Sequence, residues 1–363
     1  MRLAIVTNKP YEECETFIKH QIDCLPYSIK HYWGLKLPFD VARPRTTLMG
    51  KGLQALGFYN READLNLFVK DLIINKIDLV FAHYGMIGDA VLQACDRLDL
   101  PLVVHFHGHD AVRKSVLDTY SNYSRLFSYP RLAVVSVSHE MTKRLLNIGC
   151  PKDKIHYNVY GPNDAFLELE GKQCKLQFIS IGRFVEKKAP HLTLLAFNEV
   201  VKHKPDAQLV YAGDGVLLDS CKDLVVALGI EKNVTFPGRI TPLDYQGYLE
   251  ESLGYVQHSI EAQDGDMEGT PVSILEASAA GLPIVSTLHA GIPDVIIHNE
   301  TGLLSKERDI ESMCKHMLWL IAHKEAAKEM GAKGKARIKA HYTLSRHLYG
   351  LQRIIERVVA QTV

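Results

Sequence analysis

The sequence predicts an α/β protein built from two Rossmann-like, doubly wound parallel sheets, and three observations carry that expectation. Short apolar runs of strand length alternate with longer segments of helical period along the whole chain, the pattern of parallel strands joined by crossover helices. The chain, at 363 residues, is longer than one core of ordinary size uses. Around residues 157–166 the segment YNVYGPNDAF concentrates Asn, Gly, Pro and Asp, a turn cluster that cuts the alternating pattern in two.

In the first half, strands are expected at Arg2–Thr7, Leu79–Ala82, Leu102–His105 and Leu132–Ser136. Between them Glu62–Asn75 spaces its apolar residues three and four apart and reads as an amphipathic helix. The second half restarts the pattern, with strands expected at Leu176–Ile181, Gln208–Ala212, Val234–Phe236, Gly254–Gln257 and Pro283–Ser286. The tail Ser345–Val359 carries Leu348, Leu351, Ile354, Ile355 and Val358 at helical spacing. The expected organisation is an N-terminal domain over residues 1–164, a C-terminal domain over 165–344, and a closing helix over 345–363 that crosses back to the first domain. Two such sheets are expected to face a central cleft, and because ligands of doubly wound sheets bind beyond the carboxyl ends of the strands, functional residues are sought there.

Composition removes several function classes. Lys+Arg and Asp+Glu each number 42, which gives no broad cationic surface for nucleic acid. Seven scattered cysteines contain no C-x-x-C pair, so they read as reduced thiols rather than a zinc or redox site. The N-terminus has no signal-peptide pattern and no apolar run reaches the roughly 18 to 20 residues of a bilayer span, so a cytoplasmic protein is expected. Residues 1–165 hold a small cationic excess; a patch of Arg43, Arg45 and Lys51 around Leu48 and Met49 is a place for weak peripheral contact with the cytoplasmic membrane face.

The most informative stretch is EAQDGDMEGTPVSILEASAAGLPIVST, residues 261–287, in which Glu268 and Glu276 stand either side of a Gly-Thr-Pro turn. Pro271 fits the first turn of a helix, where its missing N–H costs nothing, and the amides around Gly269 and Thr270 would then face an anion. Glu276 lies about one and a half turns further on, placed to accept hydrogen bonds from a sugar diol, with Glu268 in the preceding loop. The alternative is that both acids answer only the helix macrodipole. A second stretch, ISIGRFVEKKAP at 179–190, ends a strand at a glycine and delivers Arg183 and Lys188, two cations suited to a diphosphate; Lys187 and Lys188 could instead be a solvated helix start. YAGDG and TFPGRI, at 211–215 and 235–240, are further strand-then-loop signals, with Gly213 a turn glycine or a close backbone approach. In the first half LPLVVHFHGHDA, residues 100–111, ends a strand with His105, His107 and His109 followed by Asp110, and alternation would place the three histidines on one side. Their spacing admits a metal site, but no carboxylate-rich loop completes one; a core role suits His105.

These motifs together resemble glycosyltransferase family 4. The E-G-T-P turn between Glu268 and Glu276, with LEASAAGLPIVST, GIPDVI at 291–296 and the Asn299–Leu304 segment after it, is similar to the family's donor-binding signature; Gly182, Arg183 and Lys188 match its G-R-x-x-x-x-K element, except that Ala189 stands where the family usually has Gly. The resemblance implies the GT-B fold and a retaining, metal-independent hexosyltransferase with no cofactor, moving a sugar from a UDP- or GDP-sugar to a glycan or lipid-linked hydroxyl in polysaccharide biosynthesis. It implies catalytic roles for His107, Glu268, Arg183 and Lys188. Donor binding would fall to Arg183, Lys188, Gly213, Arg239, Ile240, Glu268, Gly269, Thr270, Pro271 and Glu276. His83 of the FAHYG stretch, His109, Asp110 and the Glu15-Thr16 start of a Glu-Thr-Phe-Ile variant found among exopolysaccharide-building members would lie on the acceptor side. An epimerase or hydrolase on the same fold, or a catalytically silent nucleotide-sugar-binding subunit, are the alternatives; a dinucleotide dehydrogenase is disfavoured because no G-x-G-x-x-G follows the first strand.

Overall fold

The computed structural model describes residues 1–13, 15–41, 61–172 and 174–360. The expected membrane patch, Arg43 to Lys51, lies outside these residues, as does Cys14; the other six cysteines are free thiols. No described helix is long and apolar enough to cross a membrane. The chain divides into two compact units: Met1–Val137, Thr142–Asn158 and Leu348–Val363 form the first, and Ser138–Met141 with Val159–His347 the second.

The first unit is built on a six-stranded, wholly parallel sheet of β1 (Arg2–Thr7), β2 (Ser28–Trp33), β3 (Leu79–His83), β4 (Leu102–His105), β5 (Leu132–Ser136) and β6 (Ile155–Tyr157). Its spatial order is β2-β1-β3-β4-β5-β6. The four expected strands are present because each is apolar on both faces, as a strand covered by helices on either side must be. The helix expected over 62–75 spans Arg61–Ile74. One side of the sheet is closed by the C-terminal helix Leu344–Ala360, whose Leu351, Ile354, Ile355 and Val358 bury among Leu3, Phe81, Val103 and Val135. At about 1.5–3 kcal/mol for each fully buried large apolar side chain, that stripe is a main term in the first unit's stability.

The second unit repeats the plan with β7 (Gln177–Ile181), β8 (Gln208–Ala212), β9 (Val234–Thr235), β10 (Gly254–Val256), β11 (Ile284–Thr287) and β12 (Gly302–Ser305), ordered β12-β11-β10-β7-β8-β9 and again parallel throughout. Phe178, Phe197, Leu209, Val256, Val285 and Met317 form the centre of its core. The chain winds outward in opposite directions from β7 and β10, so the switch point lies between those two strands. A ligand of such a sheet sits beyond their carboxyl ends.

Candidate active site

The carboxyl ends of β7 and β10 carry a cluster of interlinked polar side chains. After β7 the backbone turns at Gly182, and the Lys188 side chain folds back over it; a Cβ on Gly182 would lie 2.8 Å from Lys188 Cδ. Lys188 Nζ is 3.0 Å from Glu268 Oε1 and 3.4 Å from Oε1 of Gln257, the residue that follows β10. Lys187 is buried too, its Nζ donating to Asp266 Oδ1 at 3.0 Å and to the Met267 carbonyl at 3.2 Å. Neither lysine is a solvated helix start: both are bound to the loop that carries Glu268. Burial alone would raise the Glu268 carboxyl, but the Lys188 and Lys187 ammonium groups outweigh it and hold the carboxyl down at about 2. Glu268 is therefore a carboxylate at any physiological pH.

Glu276 is its opposite. It lies in the helix Val272–Ala279, and among the described residues no hydrogen bond or ion pair reaches its carboxylate. Its side chain keeps partial access to solvent, yet desolvation by the surrounding protein pushes the carboxyl up to about 8. The helix starts one residue later than expected. Pro271 has ψ of 117°, extended backbone, and occupies the N-cap rather than the first turn, while its carbonyl accepts from the Ile274 amide at 3.1 Å. The Gly269-Thr270 turn is fixed from below by Gly291, whose amide donates to the Gly269 carbonyl at 2.9 Å and whose missing Cβ leaves room for the Thr270 hydroxyl.

Several site residues carry no sequence signal. Tyr255 Oη lies within hydrogen-bond distance of Gln257 Oε1, at 2.9 Å, and of Ser273 Oγ, at 2.8 Å, joining β10 to the first turn of the Glu276 helix. His289 is buried, accepts the Glu268 amide hydrogen at Nε2 over 3.2 Å, and pairs through Nδ1 with Glu307 at 2.6 Å. Accepting at Nε2 requires the hydrogen on Nδ1, so Glu307 sets the tautomer that holds the Glu268 backbone.

The other expected donor residues are placed as follows. Arg183 is exposed and has no ion pair among the described residues. Gly213 has φ of 135°, and a Cβ there would collide with the Gly182 carbonyl oxygen. Its glycine is thus required by the crossing of two loops, independently of any ligand. Arg239, 85% exposed, pairs with Asp214 at 3.2 Å, and Ile240 beside it is half-buried. Ala189 adopts φ 37° and ψ 54°, a left-handed conformation that explains why glycine is usual at this position in the family it resembles.

In the first unit the histidines group differently from the expectation. His105, His107 and His109 do not share one side, because β4 ends at His105 and the chain then turns into the short helix His109–Val112. The three that converge are His83, His105 and His107. His83 ends β3 directly opposite His105, and His107 reaches back so that its Nε2 is 3.0 Å from His83 Nδ1. His109 instead packs near Tyr84, ring centroids 5.3 Å apart. Asp110 is fully buried: Oδ1 accepts from the His107 and Gly108 amides at 3.0 and 2.9 Å, and Oδ2 from the Gly85 amide at 3.0 Å. Three backbone amides thus bind its carboxylate, which fixes the loop that carries His107. Glu15 caps the helix Thr16–Cys24 without a side-chain capping bond, and Phe17 packs its ring 5.0 Å from that of His107. Thr16 is exposed.

The family described as "Glycosyl transferases group 1" matches residues 167–337, and "Glycosyltransferase Family 4" matches residues 38–157. The chain belongs to the group 1, family 4 glycosyltransferases. An amylovoran biosynthesis glycosyltransferase of Erwinia amylovora is 28% identical over 313 residues, covering 84% of this chain and 77% of that protein. An Escherichia coli K12 glycosyltransferase named for colanic acid biosynthesis is also 28% identical, over 248 residues, 67% of this chain; the match spans 61% of that protein, less than two thirds of its length. Among solved structures, a glycosyltransferase of Rickettsia africae superposes with a TM-score of 0.77 over 99% of both chains at 15% identity. Anabaena HepE in complex with UDP-glucose superposes with a TM-score of 0.76 over 99% of this chain and 100% of that one, at 14% identity. The transferase thus has the GT-B fold.

Proposed function

We propose that this transferase moves a sugar, with retention of anomeric configuration, from a UDP- or GDP-sugar to a hydroxyl of a glycan or lipid-linked acceptor, and that the diphosphate is neutralised by side chains rather than by a metal. The observation that carries this reading is the contrast between the two acids that flank the Gly-Thr-Pro turn: an ionised, lysine-bound Glu268 and a Glu276 carboxyl with no partner among the described residues. A desolvated carboxyl lacking donors is matched by a vicinal diol such as ribose, which supplies two O–H groups. Lys188 and Arg183 are the cations for the diphosphate, and the amides of the Gly269-Thr270 turn add donors. The relatives support the donor class: Anabaena HepE binds UDP-glucose, and a Mycobacterium tuberculosis mannosyltransferase, 26% identical over 165 residues and matched over 43% of its length, is GDP-mannose-dependent.

In the transfer step the anomeric C–O bond breaks and its electron pair leaves on the diphosphate, where Arg183 and Lys188 stabilise the growing charge. The acceptor hydroxyl attacks the same face, its proton passing to the departing phosphate oxygen. His107 stabilises the cationic anomeric carbon, through its carbonyl or ring. His83, Glu15 and Thr16 serve the acceptor. The test is a thermal-shift screen of UDP, GDP, ADP, TDP and their sugar conjugates with and without EDTA, followed by NMR of the product's anomeric configuration. A shift with one nucleotide that survives EDTA, and a retained configuration, is expected. No shift with any nucleotide, or one abolished by EDTA, would overturn the donor assignment.

A further inference from the structure

We propose that His83, His105 and His107 form a binding site for a divalent first-row transition ion, with Zn2+ the natural probe, and that occupancy of this site switches transfer off. One ring nitrogen from each of the three lies within 4.8 Å of the others. Two are already close: His83 Nδ1 and His107 Nε2 are 3.0 Å apart, with rings inclined by 11°. In a tetrahedral zinc site with Zn–N bonds of about 2.0–2.1 Å, ligand nitrogens stand roughly 3.4 Å apart. The pair needs only to open slightly and the third imidazole to close by about an ångström, a change that χ rotation supplies.

The site is also pre-organised. His83 and His105 are fully buried at the ends of paired strands, where β3–β4 register holds them opposite one another. His107 is held by its own backbone, because Asp110 Oδ1 receives the His107 and Gly108 amides while Oδ2 receives Gly85 just after β3. One carboxylate therefore ties together the two chain segments that carry the histidines. Apolar rings surround them: Phe81 stacks on His83 at 4.9 Å and Tyr84 meets His107 edge-on at 4.6 Å. Three imidazoles with no thiolate select Zn2+, Cu2+, Ni2+ or Co2+ over Mg2+ or Ca2+. His107 is only half-buried, which leaves the fourth position open on its side. A metal there occupies the His107 ring, so binding blocks transfer where the ring, rather than the carbonyl, serves the anomeric carbon; this second half rests on that form of the role given to His107 under the proposed function.

The experiment uses the chelator-treated full chain, titrated with Co2+ while the visible d–d bands of a four-coordinate ion are followed, and with Zn2+ by equilibrium dialysis. One ion per chain, the Co2+ bands, and affinity reduced at least about tenfold in His105→Leu are expected. His109→Asn, outside the triad, should leave binding unchanged. Because His105 is buried, His105→Gln is carried in parallel, and each variant's folding is checked by circular dichroism and by its own thermal melt against the parent's. Absence of the Co2+ bands, or equal affinity in a folded His105 variant, overturns the site. Transfer by the parent chain should fall on adding one equivalent of Zn2+ and return with EDTA, while His105→Leu should resist the inhibition. If Zn2+ binds through the triad and transfer continues, the site stands and the role assigned to the His107 ring fails.

Discussion

Replacing Glu276 with Gln should make the ligand-free transferase more stable in alkali while disabling its donor site. The carboxyl is raised from its ordinary 4.5 to about 8, so the folded protein holds a proton that the unfolded chain has already lost. A group raised in this way contributes stability that is fully present below about pH 4.5 and is lost as pH rises through 8. Each pH unit across that window is worth about 1.4 kcal/mol, a ceiling of about 5 kcal/mol; the carboxyl's partial solvent access screens much of this, and about 1–3 kcal/mol is expected. For a unit of this size that corresponds to a Tm difference on the order of 5 °C.

The assay is paired thermal melts of the parent and Glu276→Gln across pH 4.5 to 9. The two should melt similarly at the acid end, separate as the pH rises, and keep a constant gap above about pH 8 with the Gln variant the more stable. The same variant should lose most of the stabilisation given by its nucleotide-sugar, which for the parent is about 2.7 kcal/mol at a hundredfold excess over Kd. A gap that does not change with pH would refute the electrostatic account. Unaltered nucleotide binding would refute the ribose role.

Four further outcomes follow from the same geometry. Lys188→Ala should cost about 3–5 kcal/mol of stability by leaving Glu268 buried and unpaired, and Glu268→Gln should recover part of it in the double variant; donor cleavage should fall about 10²–10³-fold, measured as nucleotide release. The parent's own pair should weaken in acid, because Glu268, depressed to about 2, contributes stability present above about pH 4.5 and lost as pH falls towards 2, visible as a steepening of Tm in that window beyond that of Glu268→Gln. Gly213→Ala should destabilise by more than about 2 kcal/mol in urea unfolding, since the new Cβ meets the Gly182 carbonyl at a φ that alanine resists. Ala189→Gly should stabilise by about 0.5–1 kcal/mol in the same assay, the relief of left-handed strain exceeding the added backbone entropy of the unfolded chain.

What the sequence conveyed of the fold depended on burial. The strands read in advance, such as β3 and β4, are covered on both faces and therefore appear as unbroken apolar runs. Three escaped, β2, β6 and β12: β2 and β6 are sheet edges that bury little, whereas β12, also an edge, is buried throughout but sets only two apolar residues between Gly302 and Ser305, too short a run to read. In β2 the residues Lys30 and His31 interrupt the apolar pattern, and only Tyr32 is buried. A strand that buries little need not be apolar, and its signal fades to that of a loop. The start of the helix after Pro271 was misplaced by one residue for a related reason: a proline suits both the N-cap and the first turn, and only ψ separates them.

The site divides along another line. Glu268, Glu276 and Lys188 were legible because they sit in short segments whose glycines and proline punctuate the chain. Their protonation was not legible, since two glutamates eight positions apart look alike in sequence. Folding brings Lys188 and Lys187 against Glu268 and leaves Glu276 to the uncharged surroundings of Tyr245 and Tyr255, so one carboxyl is driven down and the other up. Carboxyls driven apart in this way serve different tasks. Those neighbours arrive from separate strands, Tyr255 on β10 and the lysines after β7, which the order of the parallel sheet alone makes adjacent. The same holds in the first unit, where His83 joins His105 across β3 and β4 and displaces His109 from the group its spacing suggested. Spacing along the chain reveals side chains presented by one element; a chemical group assembled across strands depends on register.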